Sequence, residues 1–582
     1  MVRREDLVDV ALGRIPANVV IMGGTLIDVC TRRIVPDIDV AVYGERVALV
    51  GDASDVIGQE TRIIDAEGLY LVPGFVDSHY HIESSRLSPR RHAQITLPRG
   101  TTTIIEDSHE ICNALGLKGI SYLLEETEGL FQKVYVSLSS ATPPTPYEET
   151  GGYIGGKEAE EALKLDRVVG IGEVMDYVQL FNRGERLWEV IQAGLNAGKV
   201  VEGHGVPLPP EADAWLCSGV SSTHFYGNVH QALELLKRGA FLELKVSACK
   251  EAVSGLVEAG IDWQMVGICV DDRPAELLAK IGHMDHEVRE AIKAGLDPLI
   301  AYQLATINNA RHWRLEGEVG LIAPGRYADI LFISDLERVE IIKVMASGQI
   351  VAEKGKLIVD IPMKPTPEYV RKSLRLPRAI KPEDFEIRVS PDKKVVRAVV
   401  LRPSYFGTDL DELTEELEVR NGVVQRDLGR GINKVAIVDR FGRSIGISFW
   451  KVGYKEGAVA MSILHDSHNI SVIGATDEEM ALAVNRVFEL GGGIVIVKGK
   501  KVLAEVSLSI GGLMTDRPPD EVVKDLEFIN EKAKMLKPDP SLGPHPIDTQ
   551  TFMFLTCYPR KIMLTAKGLI NLQTGEKIPS VW

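Results

Sequence analysis

His79 and His81 stand two residues apart at the end of an apolar run, in Pro73-Gly74-Phe75-Val76-Asp77-Ser78-His79-Tyr80-His81. In a strand, residues i and i+2 share a face, so both imidazoles project into one space. Two imidazoles held that close and that rigidly are what a metal ion requires. Four further candidates lie at the C-terminal ends of apolar segments: Glu173, His204, His224 and Asp271. Singly, each reads more readily as a core histidine or a helix cap. As an ordered set, His-x-His, Glu, His, His, Asp supplies ligands for two cations bridged by a carboxylate. Such a centre lowers the pKa of a water between the ions to near neutrality, and a carboxylate beside it takes the water's proton. Asp271 suits that second task. Ligation by nitrogen and oxygen without thiolate fits manganese, iron or zinc.

The elements that must position these residues are legible around them. Val168-Val169-Gly170-Ile171-Gly172-Glu173, Lys199-Val200-Val201-Glu202-Gly203-His204 and Val266-Gly267-Ile268-Cys269-Val270-Asp271 read as buried strands ending in a polar residue. Strand–helix alternation over residues 72–315 has the length of a (β/α)8 barrel, whose active site lies at the strand C-termini. The last helical stretch is expected to start near Asp285 as N-cap and to stop at Gly295. Short strands between residues 18 and 70 resemble those after Gly325, so residues 1–71 and 316–360 are read as one small β-sandwich domain with the barrel inserted in it. Residues 361–430, charged and proline-containing, read as an irregular linker. Residues 431–582 read as a C-terminal α/β domain, with a capping box at Thr476-x-x-Glu479 and a hairpin across Lys498-Gly499-Lys500. Gly491-Gly492-Gly493 marks a helix stop and no nucleotide cofactor loop, because neither a helix nor Lys-Ser/Thr follows it.

Composition narrows the function classes. The chain has 582 residues, too many for one core. A formal charge of −16 disfavours nucleic acid as a partner. No run of 18 apolar residues offers a membrane span. Met1-Val2-Arg3-Arg4-Glu5-Asp6 carries no signal-peptide core, and the six cysteines include no C-x-x-C pair, so a cytoplasmic protein with reduced thiols is expected.

Several motifs together resemble the amidohydrolase superfamily and, within it, the bacterial and archaeal adenine deaminases: residues 73–85, Gly100-Thr101-Thr102-Thr103, His109-Glu110-Ile111, Gly172-Glu173-Val174-Met175, Asp271-Asp272-Arg273 and Gly282-His283-Met284-Asp285-His286. His465-Asp466-Ser467-His468-Asn469 and Gly512-Leu513-Met514-Thr515-Asp516 resemble that family's C-terminal domain. The resemblance implies that Glu173 bridges two divalent ions, manganese or iron ahead of zinc. It also implies that His79, His81, His204, His224 and Asp271 complete the ligand set and that Asp271 shuttles the proton. It implies hydrolytic deamination of adenine or a related 6-aminopurine, and a homo-oligomer, with a dimer expected. His109 and Glu110 would face the ring, and Asp272 would hold a substrate nitrogen or else cap or pair with Arg273. Glu83, Ser84 and Ser85 would support the ligands. His283 and His286 suit a structural role. His465 and His468 read equally as a third metal site or as a loop over the barrel mouth. The chain departs from the family at Thr223 and Phe225, where Asp and Glu are usual around His224, and at Lys245-Val246-Ser247. Those changes suggest an altered substrate side and keep a second reading open, a cyclic amidohydrolase that opens a purine- or hydantoin-like ring. A scaffold that had lost its chemistry would have lost ligands, and all six are present.

Overall fold

The computed structural model describes residues 2–403, 410–557 and 560–582. Eight short strands form the barrel: Phe75–Tyr80, Thr101–Asp107, Lys133–Leu138, Val168–Val174, Val200–Gly203, Ser222–Phe225, Phe241–Leu244 and Val266–Ile268. Each pairs in parallel with its neighbour in that order. Every strand is buried along nearly its whole length, which is why each reads as an apolar run rather than an alternation. The first and last strands meet through one parallel bridge, Tyr80 with Asp271, where Asp271 N donates to His79 O at 3.0 Å. That bond closes the barrel at the residues expected to carry its chemistry. Amphipathic helices such as Glu185–Asn196 cover the outside, burying Leu187, Val190 and Ile191. The helix expected to begin at Asp285 begins instead at Met284. Asp285 faces back, and its Oδ1 accepts from His283 N at 2.8 Å.

The two flanks share one nine-stranded sheet. Its seam pairs Tyr70–Pro73 antiparallel with Ile330–Ile333, so the chain enters and leaves the barrel side by side. Ile21, Val42, Leu71, Ile330, Phe332 and Met345 give this unit its own core.

A second nine-stranded sheet forms the C-terminal domain, and it begins earlier than the expected boundary at residue 431. Val395–Pro403 and Leu410–Arg420 pair antiparallel from Val395↔Glu418 to Pro403↔Leu410. The second half of the expected linker is therefore sheet. Leu410–Arg420 lies one two-residue strand from the sheet edge, where acidic side chains are tolerated and blunt further pairing. Those charges hide the strand alternation. The helix Asp477–Glu489 opens on Thr476, whose Oγ1 accepts from Glu479 N, and the hairpin Gly493–Lys498 with Lys501–Ser507 forms as read. Asn469 Nδ2 donates to Glu149 O at 2.7 Å, and Leu87 bridges to Thr515, which fixes this domain against the barrel mouth. Among the described residues, no helix is long and apolar enough to cross a membrane.

Candidate active site

The strand C-termini bring the six expected ligand residues together, and all but His79 line the floor of one cavity. Glu173 ends the fourth strand and is the meeting point. Its Oε1 lies 3.1 Å from His81 Nε2 and 3.3 Å from His79 Nε2. Its Oε2 lies 2.5 Å from His204 Nδ1 and 3.8 Å from His224 Nε2. Asp271 Oδ1 completes the set, 3.4 Å from His81 Nε2 and 3.8 Å from His79 Nε2. Asp271 holds this position in a left-handed backbone (φ 60°), a conformation Asp tolerates better than most residues.

Electrostatics tie the cluster together. Burial by itself would push the Glu173 carboxyl up, yet the imidazoles of His224, His204, His79 and His81 hold it well below the usual carboxylate range. Burial likewise opposes charge on His79 and His81. Glu202 and Glu173 outweigh it at His79, and Asp272, Asp271 and Glu173 outweigh it at His81, so both rise well above the ordinary histidine range. His224 is pushed down to about 3 by burial and by His79, leaving a neutral imidazole. Asp271 is held well below its usual range against burial, chiefly by Lys245, whose Nζ lies 2.8 Å from Oδ2.

The donor set fits a divalent cation. Ligand atoms of His79, His81 and Asp271, of His79, Glu173 and His224, and of His81, Asp107, His109 and Glu173 fall within 4.8 Å of one another in each group, all buried. Ionised carboxylates packed this densely need positive charge, which a metal ion supplies without protonating the imidazoles. No thiolate enters the set, consistent with nitrogen- and oxygen-ligated metals.

A supporting layer lies behind these residues. His79 Nδ1 is 2.9 Å from Glu202 Oε1, which fixes the ring so that Nε2 faces Glu173. Beneath Glu202 lies Glu243, whose carboxyl is pushed well up by burial and by the neighbouring Glu202. Asp107 Oδ2 accepts from Glu173 N at 2.9 Å, and Oδ1 lies 3.2 Å from His109 Nδ1. Glu83 accepts from Ile111 N at 3.2 Å, which orients the helix His109–Leu115. Ser84 Oγ donates to Asp272 and lies 3.0 Å from Glu110 Oε1, so the Ser84 hydroxyl joins both acids. Arg273 pairs with Glu287 rather than Asp272, leaving Asp272 facing the cavity. Thr101 Oγ1 lies 2.9 Å from His283 Nδ1.

The cavity above the cluster measures about 550 Å³, within the range of small-molecule sites. Its far wall comes from the C-terminal domain, through His465, Asp466, Phe552, Leu555 and Cys557, so the His465 loop does reach the barrel mouth. Thr223 and Phe225 do not line it. They alternate with His224 along the strand, so Phe225 packs in the core and Thr223 Oγ1 donates to Gly205 O at 2.8 Å. The expectation that these two positions alter the substrate side is corrected by strand geometry: neighbours of an inward residue point outward.

Residues 70–185 and 187–351 match the amidohydrolase family, and residues 410–576 match the adenine deaminase C-terminal domain. An adenine deaminase of Clostridium botulinum (strain ATCC 19397 / Type A) is 37% identical over 585 residues, covering 98% of this chain and 96% of that protein. The chain belongs to the adenine deaminase family. An adenine deaminase of Moorella thermoacetica is 37% identical over 97% of the chain and 96% of its own length. Adenine deaminase 2 of Bradyrhizobium diazoefficiens is 38% identical over 100% of the chain and 96% of its own length. Membership implies a divalent metal at the cluster just described. Sequence reasoning about this adenine deaminase family member missed Asp107, Glu202, Lys245 and Tyr226, a cavity residue whose hydroxyl lies 3.4 Å from His204 Nε2. Period-two spacing could have found two of them, since Glu202 precedes His204 by two and Tyr226 follows His224 by two.

Proposed function

We infer that this chain is a metal-dependent aminohydrolase that converts adenine and water to hypoxanthine and ammonia. The observation that carries this reading is the convergence of four histidines and Asp271 around Glu173, in a chain similar along nearly its whole length to adenine deaminases.

We propose that His79, His81, Glu173, His204, His224 and Asp271 would together hold two divalent ions, manganese or iron ahead of zinc. Bound there, divalent ions act as Lewis acids and lower the pKa of a water. Asp271, kept ionised by Lys245, accepts the water's proton as oxygen adds to C6 of the ring. The same carboxyl then returns that proton to the 6-amino nitrogen, the C6–N bond breaks, and ammonia leaves. Asp272, steadied by Ser84, accepts a hydrogen bond from a purine N–H, and His109 faces the ring from the opposite side. Met175, Phe552 and Leu555 form one apolar side of the cavity, which would exclude bulk water and strengthen each polar contact.

The ring-opening alternative drew on Thr223 and Phe225, which face away from the cavity, and the relatives named above do not favour it. Incubation with adenine separates the two readings. Release of one ammonia per adenine with the ultraviolet spectrum shifting to that of hypoxanthine supports the deaminase. Loss of purine absorbance without that shift would establish ring opening.

A further inference from the structure

Beside the Glu173 cluster lies a second group of metal-type donors, which shares only His109 with it. His109 and Glu110 begin the helix after the second barrel strand. His465 and Asp466 sit on the loop between the strands Ala458–Met461 and Ile470–Gly474 of the C-terminal domain. Ligand atoms of His109, Glu110 and His465 all lie within 4.8 Å of one another. Asp466 Oδ1 is 3.3 Å from His465 Nε2 and 3.6 Å from His109 Nε2. Glu110 Oε1 is 3.9 Å from His465 Nδ1, and Glu110 Oε2 is 3.8 Å from His468 Nε2.

Most of these separations are too long for hydrogen bonds, and all are too short for an intervening water layer. With one nitrogen per ring, Asp466 Oδ1, His109 Nε2 and His465 Nε2 match donors around a common ion, since two atoms each about 2.1 Å from a cation stand roughly 3.4 Å apart at a tetrahedral angle, while Glu110 faces the other nitrogen of His465. The Glu173 cluster shows the same spacing, 3.1 to 3.8 Å for most of its pairs. His109 Nε2, Glu110 Oε2, Asp466 Oδ1 and both ring nitrogens of His468 are buried without a hydrogen-bond partner among the described residues. Groups of this kind are normally satisfied, so their clustering calls for a missing partner. Support from behind is also present. Cys557 Sγ holds Asp466 Oδ2 at 3.3 Å, and Ser84 Oγ holds Glu110 Oε1 at 3.0 Å.

We propose that His109, His465 and Asp466 form a second divalent-metal site, for a first-row transition ion, shared between the barrel and the C-terminal domain, with Glu110 holding the His465 ring from its other nitrogen. An ion there pins the C-terminal wall of the cavity to the barrel mouth, and it is distinct from the ions gathered by Glu173.

The test is equilibrium dialysis of the chelator-stripped full chain against Zn2+, with bound zinc measured by plasma mass spectrometry. His465→Ala and Asp466→Ala, each checked for an unchanged circular dichroism spectrum, are expected to bind one equivalent fewer than the unsubstituted chain. Asp466→Ala also serves if His465→Ala fails to fold. Glu173→Gln is expected to keep the equivalent that these variants lose, and Glu173→Gln with His465→Ala to lose it. Unchanged zinc in the folded variants overturns the proposal. So does a loss seen only when Glu173 is intact, because the missing ion then belongs to the Glu173 cluster.

Discussion

Replacing Glu202 tests whether the layer beneath the proposed metal ligands is part of the machinery. Glu202 is fully buried and its Oε1 lies 2.9 Å from His79 Nδ1. Glu202→Leu keeps most of the volume but removes the acceptor, leaving the Nδ1–H buried and unpaired. An orphaned buried donor costs about 1–3 kcal/mol. With about 1.4 kcal/mol per factor of ten, that is roughly a 5- to 150-fold loss, in line with the 10- to 100-fold seen when partners of metal-bound histidines are removed. The assay is competition for metal against a graded chelator, run beside kcat/KM for adenine. Both should fall together in Glu202→Leu. Glu202→Gln, whose amide oxygen can still accept from Nδ1, should fall less. Unaltered metal affinity and turnover in Glu202→Leu would refute the reasoning, since His79 would then need no orientation from behind.

Other outcomes follow from the same geometry. Asp271→Asn removes the proton carrier and should lower kcat with adenine by about 10²–10⁴-fold while the thermal transition stays unchanged; a rate within a few-fold of the unsubstituted chain would remove Asp271 from the mechanism. Phe552→Ala opens the cavity wall beside His465, at a ring separation of 4.8 Å, and should raise KM for adenine by about tenfold with a smaller change in kcat. Glu148 is pushed up to about 8 by burial, so in the folded protein it is the neutral form that is favoured. Because the folded value exceeds the unfolded one, its contribution is fully present below the unfolded pKa of about 4.3 and is lost as pH rises toward 8. Glu148→Gln should therefore gain thermal stability over the unsubstituted chain progressively between pH 5 and 8, and a difference flat in pH would contradict the assignment.

How much of this was legible in the sequence depended on how each residue advertises itself. His79 and His81 are conspicuous because a strand leaves little reason for two imidazoles on one inward face. The barrel is legible because parallel strands buried on both sides read as unbroken apolar runs. Glu202 and Asp107 were missed because a carboxylate inside such a run carries no local mark of its partner, which lies on another strand. Lys245 looked like a loss of family pattern, and only the fold places its Nζ against Asp271. Leu410–Arg420 was read as linker because edge-strand acids hide the alternation on which strand reading depends. Thr223 and Phe225 misled in the opposite way: adjacency in sequence to His224 suggested adjacency to the substrate, whereas a strand sends neighbours to opposite faces. Of the cavity's C-terminal wall only the His465 loop was legible, as one of two readings; Phe552, Leu555 and Cys557 join it through docking of one domain on another.

The most direct test of the central claim is ammonia release from adenine by the chelator-stripped chain, before and after Mn2+ is restored, beside Glu173→Gln under the same conditions. The account predicts a silent stripped chain, recovery with Mn2+, and a Glu173→Gln variant that stays silent and fails to retain the ions of its cluster. Full turnover of adenine by the stripped chain, or by Glu173→Gln, would contradict it.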